Sequence, residues 1–565
     1  MNHSHAPTNG YEALEASNTY VTKVGGDNAS KLQMNTANAL ERQQRGKRQI
    51  WSFSAMRSVH SRYSPLSDPL VHSQETGEPK PGFNTTSHLI AVAQLLRKGD
   101  RSSLLNAESI AKTIGAFIRQ LLDAEIRKDH QLQNKEEVTS LLHSCVAMSI
   151  DGEDRPQSLL NKIRRWRDPL AIFQTGIDWI MHSDDEYTSI TGIGERLAQE
   201  LYSIYFQARG MPTANVSIEH AYQNIYRNLD RGQDASHVVS HMRTLLQKQI
   251  TLVLQKGMIA VTGGYLPILG NQRGYSDKTG ALLADAAHNE YPDAIYIVEK
   301  EFPLMSADPK RVPEAKTIQR MTHFLARELF GDFRGAKGGA LHSEALDALS
   351  RKGISIVVMN PEVPPAAANT TLIQDFAAEP NGVEIIASKN IPFALQISDS
   401  ALIGNPEFEA DMMRWFHEHG AAVQHIATSE GTVSFTFHEG NYSQALQSAL
   451  MEHLRDAHQI SSPDVVTIQE NVSLIYCLGN NMSRPGQASK ATTALEFAGV
   501  DIHFITQGLN ESVMTFLIDA KDSDRAVQML HDIFVCIDDA EYQRMKELFR
   551  TDILRAIQLS HSPLQ

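Results

Sequence analysis

The stretch Thr19-Tyr-Val-Thr-Lys-Val-Gly-Gly26 gives the first indication of the fold. Its β-branched and aromatic residues predict a buried β-strand from Thr19 to Val24 that ends in two glycines. Paired glycines let backbone N–H groups approach an anion, and Lys23 adds positive charge beside them. Because such a strand end is more often a plain turn, the rest of the chain decides between the two interpretations.

Similar strands recur along the chain. The sequence predicts strands over Gln49 to Phe53, Met258 to Thr262, Ala294 to Val298 and Ile354 to Met359, and helices such as Glu195 to Arg209. This alternation predicts a doubly wound α/β domain whose largely parallel sheet is covered by helices on both faces.

Polar side chains fall at four of these strand ends. In chain order they are Lys23, Ser54, Glu195, Arg273 and Asp277. Singly, each fits a turn, a helix cap or a surface ion pair. Together they converge on the carboxyl edge of the sheet, where ligands bind. The set favours phosphoryl transfer from a nucleotide to an amino-acid carboxylate, because that acceptor is already ionised and needs no general base.

The sequence pattern changes near residue 360, where prolines and alanines replace the alternation of strands and helices. The predicted segments are a disordered tail (1–18), the catalytic domain (19–362), a proline- and alanine-rich linker (363–390), two similar α+β units (391–465 and 466–537), and a C-terminal helix with a tail (538–565). Each repeated unit is too small to be very stable alone, so we expect the two to pair their sheets.

Composition excludes several classes of protein. Among 565 residues, 52 Lys and Arg against 66 Asp and Glu give a net charge of −14, which argues against a general nucleic-acid binder. Cys145, Cys477 and Cys536 lie too far apart for a CxxC motif or a disulfide framework. The N-terminus lacks an apolar signal region, and no apolar run approaches the ~20 residues of a membrane helix. We therefore expect a cytoplasmic protein with neither a nucleic-acid nor a membrane partner.

Taken in order, the motifs resemble those of the aspartate kinase family. The matching segments are Lys23-Val-Gly-Gly26, Ser54-Ala55, Gly194-Glu-Arg196, Arg273-Gly-Tyr-Ser-Asp277, Ser306-Ala-Asp-Pro-Lys310, Thr428-Ser-Glu430 and Gln507-Gly-Leu-Asn-Glu511. The resemblance is closest to the fungal enzymes. It implies an amino-acid kinase domain, a carbamate kinase-like αβα sandwich, followed by tandem ACT domains.

The resemblance also implies a role for each matched residue. Catalytic roles would fall to Lys23, Arg273 and Asp277, and substrate binding to Ser54, Glu195 and Arg273. Nucleotide binding would involve Lys23, Gly25, Gly26, Ser306, Asp308, Lys310 and Lys337. An amino-acid effector would meet Thr428, Ser429, Glu430, Gln507, Asn510 and Glu511.

The implied reaction uses ATP, with Mg²⁺ bound through its phosphates and no dedicated metal site in the protein. L-aspartate would become L-4-aspartyl phosphate, the first step towards homoserine, threonine and methionine. A homodimer or higher homo-oligomer would be the working form.

Several departures from the family pattern keep alternatives open. Asp27-Asn28 replaces the family's Thr-Ser after the glycines, two extra residues follow Lys337, and Gln424 replaces an acid. These changes are compatible with a specialised copy that supplies a secondary-metabolite pathway. They are also compatible with a catalytically weak amino-acid sensor, or with a kinase that takes another amino-acid carboxylate. Asn510 and Glu511 fit a plain polar hairpin turn equally well.

The change at Gln424 leads to a prediction about regulation. Threonine is the effector that the fungal resemblance implies, but a site shaped for a ligand ammonium binds less well when its carboxylate becomes a neutral amide. We expect inhibition by threonine or lysine to be weak or absent. Titration of both amino acids against activity measures this, and half-inhibition at submillimolar concentration would contradict it.

Overall fold

The computed structural model of the protein describes most of the chain, with gaps. The described residues are 7–55, 57–58, 83–84, 101–152, 154–155, 158–161, 192–216, 218, 235–264, 275–332, 341–376, 382–399, 406–421, 423–429, 431–437, 444–460, 462–480, 482, 485–508, 512–538, 540–545 and 547. Two compact units make up the chain. The first combines Met1–Pro303 with Ala340–Gln374, and the second combines Leu304–Gly339 with Asp375–Gln565.

The strands as far as residue 374 are mostly short. In chain order they are β1 (Thr19–Val24), β2 (Arg48–Phe53), β3 (Arg57–Ser58), β4 (Phe83–Asn84), β5 (Thr213–Asn215), β6 (Ile259–Gly263), β7 (Ala294–Glu299), β8 (Arg320–Met321), β9 (Ile356–Met359) and β10 (Thr370–Ile373). Seven of the first unit's strands neighbour one another in the order β5-β6-β2-β1-β7-β9-β10. All these neighbours run parallel except β9 and β10. The predicted parallel sheet is confirmed, and β1 has the predicted limits.

Helices accompany these strands along the chain. They are α1 (Gly10–Ala16), α2 (Gly26–Ala29), α3 (Leu32–Gln44), α4 (Arg101–Lys128), α5 (Lys135–Val146), α6 (Ile193–Ala208), α7 (Ala235–Gln255), α8 (Tyr275–His288), α9 (His323–Asp332) and α10 (Ser343–Ser350). Helix α9 belongs to the second unit.

Aromatic side chains form the core next to the central strands. Phe53 of β2 stacks on Tyr202 of α6 with ring centroids 3.8 Å apart, and Trp51 meets Phe206 edge to face at 5.8 Å. All four side chains are fully buried. Burial of such large apolar surfaces fixes α6 against the sheet, and with it the start of α6 at the carboxyl edge.

The second unit is built on a six-stranded antiparallel sheet. Its strands are β11 (Gly382–Ser398), β12 (Val423–Ser429), β13 (Thr432–Phe437), β14 (Val466–Asn480), β15 (Ile502–Gln507) and β16 (Val513–Asp519). The spatial order is β12-β13-β11-β14-β16-β15. The long strands β11 and β14 pair along nearly their whole lengths, from Gly382–Asn480 to Ile397–Val466. The two predicted α+β units thus share one sheet.

The helices that pack on this sheet within the described ranges include four that follow residue 400. They are α11 (Pro406–Glu418), α12 (Gln444–His458), α13 (Gln487–Phe497) and α14 (Ser523–His531). Helices α11 and α12 cover one apolar cluster that includes Phe393 and Phe435, and α13 and α14 cover another that includes Ile475 and Phe516. Each repeat therefore keeps its own core while the sheet is continuous.

Two predicted boundaries are wrong. The tail predicted as disordered contains α1, which Asn9 caps by accepting a hydrogen bond from the N–H of Glu12 at 3.0 Å. The segment 363–390, predicted as a linker, contains β10 and the start of β11. Its alanines and prolines suggested a loop, but Thr370 to Ile373 find a partner in β9 and are buried.

The catalytic domain predicted over 19–362 is also interrupted. Residues Leu304–Gly339 fold with the second unit, where Ala307 and Val312 join the apolar cluster around Ile475. The boundary was missed because a short excursion of the chain leaves no change in composition.

Because α8 packs closely on β7 at Gly280, a larger side chain at this position should destabilise the fold. A Cβ atom on Gly280 would lie 2.4 Å from the Tyr296 hydroxyl. We expect Gly280→Ala to lower the free energy of unfolding by about 1–3 kcal/mol, measured by denaturant titration. Adding Tyr296→Phe should restore part of the loss because it removes the closest atom.

Gly25→Ala is the matched control, because a Cβ atom there meets nothing within 4 Å and its φ of −69° suits alanine. Equal losses in the Gly280 and Gly25 variants would show that the contact with Tyr296 is not the cause.

Candidate functional site

A buried ion pair lies at the carboxyl end of β1. Lys23 Nζ is 2.7 Å from Asp277 Oδ1, and the two side chains are 8% and 13% exposed. Asp277 stands in the first turn of α8, and its Oδ2 accepts a hydrogen bond from the N–H of His342 at 3.1 Å. Although burial alone raises the pKa of Asp277, the charges of Lys23 and Lys300 hold it below its usual value. Two of the predicted catalytic residues are thus in direct contact.

Glu195 lies in the first turn of α6 and is almost completely buried. Its Oε2 has no hydrogen-bond partner among the described residues. Burial raises the pKa of Glu195 to about 7, although the N–H groups of Glu195 and Ala55 and the charge of Arg196 oppose the rise. An unsatisfied buried carboxylate of this kind is suited to hold a cationic group of a ligand.

Two glycines allow the elements of the site to approach closely. A Cβ atom on Gly263, at the end of β6, would lie 3.0 Å from the carbonyl oxygen of Glu195. One on Gly264 would lie 2.8 Å from Cβ of Ser276, at the start of α8. The starts of α6 and α8 therefore both pack against the end of β6.

Register places these groups along one edge of the sheet. Lys23 pairs with Ser52 in the parallel ladder of β1 and β2, and Phe53 pairs with Gly263 in that of β2 and β6. Half-buried Ser54 continues β2, and its N–H donates to the carbonyl of Val24 at 3.1 Å. Lys23 and Ser54 therefore lie at the carboxyl ends of β1 and β2, and the helix starts that carry Glu195 and Asp277 pack against the end of β6.

Gly25 lies at the same edge, where it precedes the one-turn helix α2, and Gly26 is the first residue of that helix. Arg273 and Lys337 lie outside the described residues. Their predicted roles stay predictions.

Three residues predicted to bind nucleotide belong to the second unit. The hydroxyl of Ser306 is fully buried, lies 2.8 Å from Nε2 of His531 and accepts from the N–H of Lys316 at 2.7 Å. Asp308 accepts from the N–H of Lys310 at 2.9 Å, within a turn. Protein groups thus already satisfy the Ser306 hydroxyl, and a nucleotide contact by these residues stays a prediction.

Three of the six predicted effector residues lie on outer strands of the six-stranded sheet. Thr428 and Ser429 end β12, and Gln507 ends β15, where its amide donates to the carbonyl of Met482 at 3.3 Å. Glu430, Asn510 and Glu511 lie outside the described residues. Gln424 donates to the Tyr476 hydroxyl at 2.5 Å, while its buried Oε1 has no partner in the described part of the chain.

Comparisons with known proteins agree with this architecture. Residues 104–360 match the amino acid kinase family, and residues 475–534 match an ACT domain. These matches identify an amino acid kinase domain followed by an ACT domain, an arrangement similar to that of aspartate kinases.

Individual relatives are distant. An aspartate kinase of Stutzerimonas stutzeri is 26% identical over 46% of this chain, and the match spans about half (52%) of that protein. The aspartokinase of Schizosaccharomyces pombe is 23% identical over 60% of this chain and 68% of its own length.

Solved structures support the fold over nearly the whole chain. Escherichia coli aspartokinase III in complex with lysine and aspartate matches with a TM-score of 0.58 and 20% identity, over 92% of this chain and all (100%) of that one. The same enzyme in complex with aspartate and ADP matches with a TM-score of 0.56 and 18% identity, over 91% and 99%.

The structure adds one acidic residue that the sequence did not single out. Glu299 ends β7, next to β1, is 2% exposed, and neither of its carboxylate oxygens has a hydrogen-bond partner among the described residues. Burial raises the pKa of Glu299 to about 7 against the charges of Arg42 and Lys23. Glu299 follows the apolar run of residues 294–298, so only its place at a strand end could have drawn attention to it.

Arg42 links this acid to the core. Its guanidinium is 3.8 Å from Oε1 of Glu299, donates to the Thr22 hydroxyl at 2.8 Å and lies over the Trp51 ring.

Within the described ranges, no helix is both long and apolar enough to cross a bilayer.

The raised pKa of Glu195 predicts a pH dependence of stability. Between its ordinary value of 4.5 and about 7, the folded chain holds a proton that the unfolded chain has lost, so stability falls as pH rises. Glu195→Gln resembles the protonated form and lacks this dependence. From pH 5 to pH 8 we expect the parent chain to lose about 2–3 kcal/mol relative to the variant.

Denaturant unfolding of both chains at the two pH values measures this difference. Glu200→Gln is the control, because Glu200 is an exposed acid on the same helix. If the parent chain and Glu195→Gln responded equally to pH, the carboxyl group would be ionised in the folded chain with an ordinary pKa.

Proposed function

We propose that this protein transfers the γ-phosphoryl group of ATP to the side-chain carboxylate of L-aspartate, forming L-4-aspartyl phosphate and ADP. The observation that carries the proposal is the arrangement at the sheet edge: the buried Lys23–Asp277 pair, and Glu195 with an unpartnered carboxylate oxygen. The family match and the aspartate and ADP complexes of the E. coli relative support it.

The chemistry follows from the charges. A carboxylate oxygen of aspartate forms a bond to the γ-phosphorus, the bond to the β–γ bridging oxygen breaks, and ADP leaves with that electron pair. The attacking group carries no proton, so no base is required. Lys23 would neutralise charge on the transferring group, and phosphate oxygens would compete with Asp277 for its ammonium. Its low exposure strengthens this electrostatic effect.

Glu195 favours an acceptor with a free ammonium group. A buried carboxylate whose pKa is raised to about 7 gains a counter-ion when the α-ammonium of an amino acid binds. An N-acyl amino acid would leave the carboxylate unpaired. Arg273 would hold the α-carboxylate, as the family resemblance implies.

Mg²⁺ enters the proposal on the nucleotide. Among the described residues, groups of three His, Cys, Asp or Glu side chains close enough to share an ion occur in the second unit, away from Lys23 in the chain. The ion supplies charge neutralisation of the phosphates, which is its usual mode in kinases.

The finer parts of the proposal rest on the resemblance, on the chain's departures from the family pattern and on its composition. They are four: a metabolic place ahead of homoserine, threonine and methionine or of a secondary metabolite; assembly as a homodimer or higher homo-oligomer; a cytoplasmic location; and an amino-acid effector that binds the second unit.

A hydroxamate assay with ATP and Mg²⁺ across aspartate, glutamate and N-acetylaspartate tests the acceptor and the activity together. Turnover with aspartate alone supports the proposal; none with any acceptor favours the amino-acid sensor.

The Lys23 assignment predicts the effect of its removal. Lys23→Ala should lower turnover at least about a hundredfold, because the transition state loses its main positive charge. Lys352→Ala is the control, because Lys352 is a half-exposed lysine of the same unit that lies 3.9 Å from Asp285. Near-normal turnover of Lys23→Ala, with its fold verified by circular dichroism, would reject the assignment.

A further inference from the structure

Three potential metal ligands meet between two helices of the second unit. Asp411 lies on α11, and His453 and His458 lie on α12. Nε2 of His453 is 2.6 Å from Oδ2 of Asp411, and Nε2 of His458 is 2.8 Å from the same oxygen. The three ligand atoms all lie within 4.8 Å of one another. Two imidazoles and a carboxylate thus converge on one point.

Aromatic packing holds both imidazole rings in place. His453 stacks on Trp415 with centroids 5.7 Å apart, and His458 meets Phe408 edge to face at 4.8 Å. Phe408 and Trp415 are buried in the apolar cluster that α11 and α12 cover. Rings fixed in this way lose little conformational freedom when an ion binds.

The cluster is open on one side. The side chains of His453, His458 and Asp411 are 24%, 16% and 27% exposed. An ion can therefore enter from solvent, and water can fill a fourth position. Tetrahedral Zn²⁺ with bonds of about 2.0–2.1 Å needs ligand atoms about 3.3 Å apart, so small side-chain rotations suffice.

We infer that Asp411, His453 and His458 form a binding site for a divalent transition-metal ion, with Zn²⁺ the best fit. Two imidazole nitrogens and one carboxylate oxygen select Zn²⁺ over Mg²⁺, which prefers oxygen ligands alone. Arg414 is 4.0 Å from the other carboxylate oxygen, Oδ1, and is largely exposed, so Oδ2 remains directed at the rings. The bound ion cross-links α11 to α12 over their shared core.

The chain offers a matched control for a simple histidine–carboxylate pair. Nε2 of His503 is 2.9 Å from Oδ1 of Asp519, but the described residues place no second histidine at that carboxylate. If any such pair captured zinc, His503 and His458 would contribute equally.

Zinc titration of the full chain tests the site. Zn²⁺ is added against a chromophoric chelator in millimolar Mg²⁺ to the parent chain, His458→Gln, Asp411→Asn and His503→Gln. Glutamine keeps an N–H donor towards Asp411, so we expect His458→Gln to fold. His3 and His5 are present in every variant, so the differences isolate the cluster. We expect His458→Gln and Asp411→Asn to lower the affinity of one equivalent at least about tenfold, and His503→Gln to leave it unchanged.

Co²⁺ provides a second, spectroscopic readout that reports the coordination number of the bound ion in the parent chain itself. The intense visible bands of four-coordinate Co²⁺ in the parent chain, lost in Asp411→Asn, support the site. Only the weak bands of six-coordinate Co²⁺, or equal zinc binding by the parent chain and His458→Gln, would overturn it.

Discussion

The ion pair between Lys23 and Asp277 is the constraint on which the candidate active site depends. Both charges are largely removed from water, and neither would be stable there alone. The pair ties the end of β1 to the start of α8, while the N–H of His342 holds the second oxygen of Asp277. Lys23 is therefore paired, positioned and only weakly hydrated before any ligand arrives. A phosphate that displaces Asp277 meets a preorganised cation and does not have to order a flexible one.

Three buried acids of the first unit, Asp277, Glu195 and Glu299, differ in pKa because their environments differ. Asp277 gains from Lys23 and Lys300, so its pKa stays below the ordinary value. Burial raises the pKa of Glu195 and of Glu299 to about 7, although Arg42 lies 3.8 Å from Glu299. Asp277 is thus committed to Lys23, while Glu195, with an unpartnered carboxylate oxygen, gains most from a cationic ligand group. This division suits a site that must bind phosphate and an amino-acid ammonium side by side.

The sequence predicted the elements whose signal is local. Alternating strands and helices, the glycines after β1, and Lys23, Ser54, Glu195 and Asp277 at strand ends all follow from nearest neighbours and spacing.

The features that the sequence did not predict depend on partners that are distant in the chain. Thr370 to Ile373 become a strand only because β9 lies beside them, and Leu304–Gly339 joins the second unit because Ala307 and Val312 find its core. Glu299 resembles an ordinary strand residue until Lys23 and Arg42 are placed around it. The Asp411 cluster joins residues 42 and 47 positions apart. Its two histidines fit the H-x₃₋₅-H spacing of zinc ligands, but nothing local in the sequence links them to Asp411.

The pairing of β11 with β14 limits how the second unit can respond to a ligand. Fourteen consecutive or near-consecutive ladder pairs join the two strands, with one irregularity between Val383 and Ile385. Sliding this ladder by one residue would turn every apolar side chain to the opposite face, so the register is effectively locked. The helices are less constrained, because each pair packs on the sheet through side chains alone. A ligand that binds the second unit can therefore act more easily by shifting α11 against α12, or α13 against α14, than by parting the two repeats. An ion held by Asp411, His453 and His458 would restrict the first of these motions and leave the second free.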